Sequence, residues 1–139
     1  DDEVKFNLAV SLHAADDAKR DKIMPINEQN NIEAIIDALK HFQSKCKGEL
    51  TFEYILLDGV NDTIDDAKKL IAICKQLDDV KINVIEYNKI DQADFHKSTI
   101  DTRDKFIDYL SKHKVIANVR KSRGKDIDAA CGQLANKNK

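Results

Sequence analysis

Residues 50–57, with the sequence LTFEYILL, and the turn sequence DGVND at residues 58–62 decide the fold of this chain. The run is apolar and contains β-branched and aromatic residues, which predicts a buried strand, and the Asp-Gly and Asn-Asp pairs predict a turn. A helix is expected next, because Thr63 and Asp66 have the spacing of a capping box and apolar residues then recur at helical intervals. Repetition of such a unit is typical of an α/β fold.

The same alternation extends to both sides of this unit. The predicted elements are strands at 4–14, 50–57, 80–87 and 115–119 and helices at 32–46, 64–77 and 98–113, the first helix capped by Asn30 or Asn31. The order β-α-β-α-β-α-β predicts a parallel sheet with right-handed crossovers. Apolar strands fit either a sheet covered on both faces or half of a barrel. In both arrangements ligands bind beyond the carboxyl ends of the strands, here near residues 11–14, 58–62 and from Asn88 onward.

Composition limits the class of protein. A chain of 139 residues with 42% apolar residues predicts one domain, residues 1–139. No stretch approaches the ~20 apolar residues of a membrane span, and the N-terminus lacks the pattern of a secretory signal, so no membrane partner and a cytoplasmic location are expected. Aromatic residues are 6% of the chain and Trp is absent, which argues against a platform that stacks bases.

Charge is distributed unevenly along the chain. Residues 1–111 contain 15 basic and 23 acidic residues, whereas the segment 112–139 contains 8 basic and 2 acidic residues. The basic segment is where a polyanion would bind. The alternative is an ordinary solvated basic end.

The three cysteines, Cys46, Cys74 and Cys131, are too far apart in sequence for a C-x-x-C pair or a set of metal ligands. Cys46 and Cys74 continue apolar helical stripes and are expected to be small buried hydrophobic residues. Cys131 instead lies among small residues shortly after a basic run, where a ligand has room and nearby cations favour the nucleophilic thiolate. A purely structural cysteine is the alternative at this position too.

Motifs for several common chemistries are absent. The sequence has no phosphate-binding P-loop, no G-x-G-x-x-G, no H-E-x-x-H and no G-x-S-x-G. His13 lies at the end of the first predicted strand, where a site is expected, although a structural histidine fits this position as well. His41, His96 and His113 are expected at the surface.

Four blocks of sequence, in order, closely resemble the radical S-adenosylmethionine RNA methyltransferases of the RlmN and Cfr type. They are LAVSLHA at 8–14, MPIN at 24–27, FEYILLDGVND at 52–62, and VRKSRG at 119–124 leading into DIDAACGQL at 126–134. The resemblance implies a partial (β/α) barrel of the radical S-adenosylmethionine type, of which this chain carries the C-terminal half. It also implies methylation of an adenine ring carbon in large-subunit ribosomal RNA. The RlmN branch methylates C2 and also acts on tRNA, whereas the Cfr branch methylates C8.

For Cys131 the resemblance implies the role of methyl carrier. One S-adenosylmethionine methylates its sulfur, and a second one, cleaved at a reduced [4Fe-4S] cluster, provides the radical that activates this methyl group. The activated carbon adds to adenine, and a second cysteine resolves the adduct through a disulfide. A covalent radical route suits an adenine carbon, which is a poor nucleophile.

The resemblance assigns other residues to the cofactors and the RNA. Ser11, Leu12, His13 and Asn88 are expected to bind S-adenosylmethionine. The basic residues Arg120, Lys121, Arg123 and Lys125 are candidates for contacts with RNA phosphates, or they brace the loop of Cys131.

The sequence departs from this family in one major respect. The C-x-x-x-C-x-x-C cluster motif, the resolving cysteine and the N-terminal RNA-recognition region are missing. The chain is therefore expected to be a C-terminal fragment, with no metal ligands of its own and inactive alone; the [4Fe-4S] cluster and its reductant belong to the full-length protein. Lys89 also replaces a usual proline after Asn88. The unpaired edge of a partial sheet invites dimerisation of the fragment.

Adenine-C2 methylation of ribosomal RNA and tRNA is the leading hypothesis. Three alternatives remain open: C8 methylation of the Cfr type, a non-catalytic α/β module that binds RNA, and a barrel-like metabolic enzyme with a phosphate site at residues 122–124.

Overall fold

A computed structural model describes residues 5–23, 31–87 and 95–121 of the chain. The elements are β1 (Lys5–Ser11), α1 (Asp17–Ile23), α2 (Ile32–Lys45), β2 (Lys47–Leu56), α3 (Ile64–Cys74), β3 (Val80–Glu86), α4 (Ile100–Lys112) and β4 (Ile116–Lys121). The strands form one parallel sheet in the order β1-β2-β3-β4. The predicted α/β architecture is confirmed.

One face of the sheet carries the hydrophobic core. Because each crossover is right-handed and moves to the next strand in the same direction, α2, α3 and α4 all pack on this face. Phe52 and Tyr54 of β2 are fully buried there with Val84 of β3, and they join Leu70 of α3 and Phe106 of α4 in one cluster. Tyr54 and Phe106 are in ring contact, with centroids 5.3 Å apart.

The opposite face of the sheet, which we call the open face, is polar over most of its area. It carries alternate residues of the four strands: Asn7, Ala9, Ser11, Thr51, Glu53, Ile55, Lys81, Asn83, Ile85, Ile116, Asn118 and Arg120. In the described ranges α2, α3 and α4 contribute to the core on the other face, whereas Ile23 of α1 and Ile55 of the open face pack against a small second cluster of Leu57 and Tyr87. Of the two arrangements allowed by the sequence, the described sheet, with three helices on one face, fits the half-barrel.

Helix starts follow the predicted capping chemistry. Asn31 Oδ1 accepts a hydrogen bond from the Ala34 backbone N–H at 2.8 Å. Thr63 and Asp66 form a reciprocal capping box at the start of α3, as the sequence predicts. Side-chain oxygens thus satisfy backbone donors that a helix cannot pair internally.

The segment after β1 differs from prediction. The strand ends at Ser11 instead of residue 14, because His13 has a φ of 58°, which turns the chain out of the extended conformation. The helix α1 follows, and its sequence DAKRDKI lacks the apolar periodicity that would have predicted it. Arg20 of α1 is buried and donates from Nε to the Leu12 carbonyl at 3.0 Å, which fixes the helix against the strand end.

The structural interpretation of Cys74 is confirmed. It is buried in the core, and burial raises the pKa of its thiol to about 12, so it stays protonated and unreactive. Cys46 is half-buried at the C-cap of α2, and both cysteines are free thiols. His41, His96 and His113 are exposed, as expected. No helix within the described ranges is long and apolar enough to cross a membrane.

Candidate functional site

A transverse row of polar residues crosses the open face near the carboxyl ends of the strands. The strand register places Ser11, Glu53, Asn83 and Asn118 side by side on β1, β2, β3 and β4; we call these four residues the polar row. In the described part of the chain, the side chains of Ser11, Asn83 and Asn118 form no hydrogen bond with another residue. Their donors and acceptors are therefore available to a ligand.

Glu53 is the charged member of the polar row, and it is paired with a residue two strands away. Arg120 of β4 lies two register pairs beyond Asn118 and therefore on the same face, beside Ile85 of β3. Its Nη1 is 3.4 Å from Glu53 Oε2, so the ion pair runs diagonally across β3. The Arg120 side chain is 50% exposed and that of Glu53 27% exposed. The pair places one carboxylate and one guanidinium beside the uncharged polar side chains of the polar row.

His13 closes the carboxyl end of β1 against β2. Its Nδ1 accepts a hydrogen bond from the Ile55 backbone N–H at 2.9 Å, and its own backbone N–H donates to the Glu53 carbonyl at 3.1 Å. The imidazole is buried, and burial together with the charge of Arg20 lowers its pKa to about 4. His13 is therefore neutral at pH 7 and acts as a hydrogen-bond acceptor that joins two strands.

Asn61 ties the same strand ends together from the turn after β2. Its Nδ2 donates to the carbonyls of His13 and Ile55, both at 2.7 Å, and its Oδ1 accepts from the Leu57 N–H at 2.8 Å. The Tyr54 hydroxyl donates to the Asn61 carbonyl at 2.6 Å. Asn61 is fully buried. Both N–H donors of the Asn61 amide are therefore hydrogen-bonded within the protein.

Two carboxylates anchor the segment that leads into α4. Asp62 Oδ2 accepts from the Ser98 hydroxyl at 2.7 Å, and its Oδ1 accepts from the Gly59 N–H at 3.1 Å. Glu86, at the end of β3, contacts Lys97 Nζ at 3.0 Å and Arg103 Nη1 at 2.8 Å. The hydrogen bond from Lys97 and the positive charges of both partners lower the pKa of Glu86. These contacts fix the segment that leads into α4 against the carboxyl edge of the sheet.

The structure separates the residues that the sequence predicted for cofactor binding. Ser11 is exposed on the open face, whereas Leu12 and His13 are buried, and Leu12 lies in the hydrophobic core. Leu12 and His13 therefore define the strand end with backbone and packing contacts. Asn88 lies outside the described residues.

The predicted RNA-contacting residues lie on and beyond β4. Arg120 is on the open face, and Lys121 is the last residue of β4, with only its backbone described. Arg123, Lys125 and Cys131 lie outside the described residues.

Sequence reasoning missed three residues that shape the site. The sequence analysis predicts Glu53 as part of an apolar strand, although a charged residue inside such a run indicates a strand with one polar face. Arg20 stands in a short charged helix with no periodic pattern to reveal its burial. Asn61 was recognised as a turn former, but its contacts to His13 depend on residues 48 positions apart in sequence.

The described side chains do not fit an iron–sulfur cluster. No group of three or more His, Cys, Asp or Glu side chains in these ranges could hold a metal ion. Cys46 and Cys74 are on different elements, and no disulfide joins them. The three cysteines of the whole sequence lack the C-x-x-x-C-x-x-C spacing.

Comparison with known proteins gives a consistent picture. No family model matches the chain. A probable dual-specificity RNA methyltransferase RlmN of Cytophaga hutchinsonii is 54% identical over 135 residues, which is 97% of this chain and 37% of the relative. The protein of the same name from Christiangramia forsetii is 47% identical over 99% of this chain and 39% of its own length. The dual-specificity RNA methyltransferase RlmN of Campylobacter hominis is 44% identical over 94% of this chain and 36% of its own length.

Solved structures agree with these relatives. A crystal structure of a radical SAM methyltransferase from Sphaerobacter thermophilus superposes with a TM-score of 0.80 and 37% identity, over 91% of this chain and 37% of that protein. A domain of pyruvate-formate lyase-activating enzyme from Bacteroides vulgatus has a TM-score of 0.64 at 14% identity, which shows a shared fold alone. Over nearly its whole length the chain matches a part of RlmN-type RNA methyltransferases, and it spans somewhat more than a third of the length of these relatives.

Proposed function

We propose that the chain is the C-terminal part of a dual-specificity methyltransferase that methylates C2 of adenine in large-subunit ribosomal RNA and in tRNA, in the cytoplasm. The observation that carries the proposal is the 54% identity to an RlmN-type RNA methyltransferase over 97% of the chain. A half-barrel with a polar open face supports it, since in such folds ligands bind at the carboxyl ends of the strands.

The open face has the chemistry to hold S-adenosylmethionine, which supplies an activated methyl group when bound. The Ser11 hydroxyl and the Asn83 amide have no partner among the described residues, and they flank Glu53 on neighbouring strands. Hydroxyl and amide groups suit the ribose and amino-acid portions of this cofactor. We assign Ser11 and Asn88 to cofactor binding through their side chains, and Leu12 and His13 through the shape of the strand end.

Cys131 is the residue that we propose as methyl carrier. S-adenosylmethionine would supply the methyl group when bound, and the Cys131 thiolate would be the nucleophile that accepts it. Basic residues close to a cysteine favour its thiolate form, and Arg123 and Lys125 are near Cys131 in sequence. Cys74 cannot take this role, because its thiol is buried and its pKa is about 12.

Arg120, Lys121, Arg123 and Lys125 form the proposed contact with RNA phosphates. Arg120 lies on the edge strand of the described sheet, within the basic segment 112–139. Lys and Arg contacts to phosphates orient a nucleic acid without reading its sequence. They would bring the target adenine towards the open face.

Because the cluster ligands are not in this sequence, the chain alone is expected to be inactive. The cluster and the site of its reductant belong to the remainder of the full-length protein. Anaerobic reconstitution of the chain with iron and sulfide is expected to leave it without stoichiometric iron. Stoichiometric iron and sulfide in the purified chain would contradict this division of the protein.

The function is tested with the full-length protein that contains this chain. After anaerobic reconstitution it is incubated with S-adenosylmethionine, a reductant and either ribosomal RNA or tRNA, and digested nucleosides are analysed by mass spectrometry against C2- and C8-methyladenosine standards. C2-methyladenosine in both RNAs is expected. Methylation at C8 would show an activity of the Cfr type instead. Binding of RNA without any methylation would favour a non-catalytic module.

A further inference from the structure

We propose that Glu53 is a positioning residue, which holds the Arg120 guanidinium over the open face so that it binds an anionic oxygen group of a substrate. This inference rests on the proposed function. The anionic group is either the carboxylate of S-adenosylmethionine or a phosphate of the RNA, since a guanidinium binds both in the same way.

The geometry of the pair needs a partner to hold it. Adjacent strands are about 5 Å apart, so Glu53 and Arg120 start from backbones separated by about 10 Å. Arg120 is on the edge strand of the described sheet, where a long side chain is free to extend into solvent. Its Nη1 instead lies 3.4 Å from Glu53 Oε2, back over the middle of the sheet. Glu53 thus determines where the guanidinium sits.

Stability alone does not account for this pair. Ion pairs that are about half exposed contribute little to folding, because water screens the charges and the side chains lose entropy. A guanidinium has five N–H donors, and within the described residues Arg120 uses one of them, on Glu53. The remaining donors lie beside the polar row, where the amide of Asn83 and the hydroxyl of Ser11 are also without partners.

A second exposed ion pair provides the matched control. Lys112 and Asp108 are one turn apart on α4, with Nζ and Oδ2 3.3 Å apart. Their contact follows directly from helix geometry, since residues four apart are neighbours. Neither residue lies on the open face, so loss of this pair should leave substrate binding unchanged.

The experiment compares variants of the full-length protein: Arg120→Ala, Arg120→Lys, Glu53→Gln, Glu53→Asp and the control Asp108→Asn. Steady-state methylation gives kcat and a KM for S-adenosylmethionine and for an RNA oligonucleotide, and direct binding of each substrate gives a readout that does not depend on turnover. Thermal melting reports whether each variant folds as the wild type does.

Arg120→Ala is expected to raise KM and Kd about 10- to 100-fold for one substrate, as loss of a charge-assisted hydrogen bond does. Glu53→Gln should weaken binding of that same substrate about 3- to 10-fold with kcat and melting temperature little changed, and Glu53→Asp should recover part of the loss. Arg120→Lys should stay defective, because an ammonium lacks the planar fork. An effect confined to S-adenosylmethionine identifies its carboxylate, and one confined to RNA identifies a phosphate.

Unchanged KM and Kd for both substrates in Arg120→Ala, or in Glu53→Gln, would overturn the proposal. So would a loss in Glu53→Gln that follows a lower melting temperature and affects both substrates and kcat together, which indicates a structural role. Failure of the wild-type protein to methylate RNA would remove the proposed function instead, and the binding measurements would still decide the role of Arg120.

Discussion

The carboxyl edge of the sheet and its open face use polar residues in opposite ways. At the edge, Asn61 is hydrogen-bonded to His13 and Ser98 to Asp62, and all four residues are buried; we call them the edge network. On the open face, Ser11, Asn83 and Asn118 of the polar row form no side-chain hydrogen bond within the described ranges.

The polar residues of the edge network therefore have a structural role, whereas those of the polar row are candidates for ligand binding. A buried polar group without a partner is costly, so the edge network is expected to appear in stability measurements. Exposed groups already bonded to water add little to stability and remain available to a ligand. Substitutions in the edge network should therefore lower the free energy of unfolding, whereas substitutions in the polar row should leave it nearly unchanged and affect ligand binding.

The largest effect is expected when Asn61 is replaced by alanine. The variant leaves the Leu57 N–H and the carbonyls of His13 and Ile55 without their partner, so the free energy of unfolding should fall by about 3–5 kcal/mol. Asn83→Ala is the matched control on the open face and should change it by less than about 0.5 kcal/mol. Urea denaturation of the purified chain measures both. Equal losses of unfolding free energy in the two variants would contradict the distinction between a structural edge network and an open face that contributes little to stability.

The pH dependence of stability tests the same network through His13. The pKa is about 4 in the folded state and 6.5 for an unperturbed histidine, so the unfolded state binds the proton more readily. The contribution of neutral His13 to the free energy of unfolding is fully present above pH 6.5 and is lost as the pH falls towards 4. At 1.36 kcal/mol per pKa unit, the total loss is about 3 kcal/mol.

The variant His13→Asn isolates this contribution. Asparagine tolerates a positive φ, and its Oδ1 can accept the Ile55 N–H, but it does not titrate. The stability difference between wild type and variant should change between pH 6.5 and 4 and stay constant between pH 7 and 8. A stability difference that does not change between pH 6.5 and 4 would mean that folding does not lower the pKa of His13.

The smallest effect concerns the turn that presents Asn61 and Asp62. Gly59 has a φ of 71°, and an added Cβ would meet no atom within 4 Å. The cost of Gly59→Ala is therefore conformational alone, about 1–2 kcal/mol. Gly59→Asn should cost less, since asparagine enters the left-handed region more readily. A larger loss for Asn than for Ala in thermal melting would show that space limits this turn.

The elements of the fold were predictable because local chemistry specifies them. The capping box of Thr63 and Asp66, the N-cap Asn31 and the apolar runs of β2 and β3 each appear where the sequence predicts them. The helix α1 was not predictable, since polar contacts hold it, from Arg20 to the Leu12 carbonyl and from Lys19 to Asp66, and no apolar pattern marks it.

The site was predictable in part. The sequence placed Ser11 at the end of a strand, and it is exposed on the open face there. It did not distinguish Ser11 from its neighbours Leu12 and His13, which turn into the protein because of the positive φ of His13. The pairing of Glu53 with Arg120 joins residues 67 positions apart, so it depends on the strand order and not on any local pattern.

The most direct test of the account is methylation by the full-length protein with Cys131→Ala, beside the control Cys46→Ala. C2-methyladenosine in ribosomal RNA and tRNA is measured by mass spectrometry after anaerobic reconstitution. We predict complete loss of the product with Cys131→Ala and near wild-type yield with Cys46→Ala, since Cys46 is a half-buried helix cap. Wild-type yield with Cys131→Ala would contradict the role of its sulfur as methyl carrier.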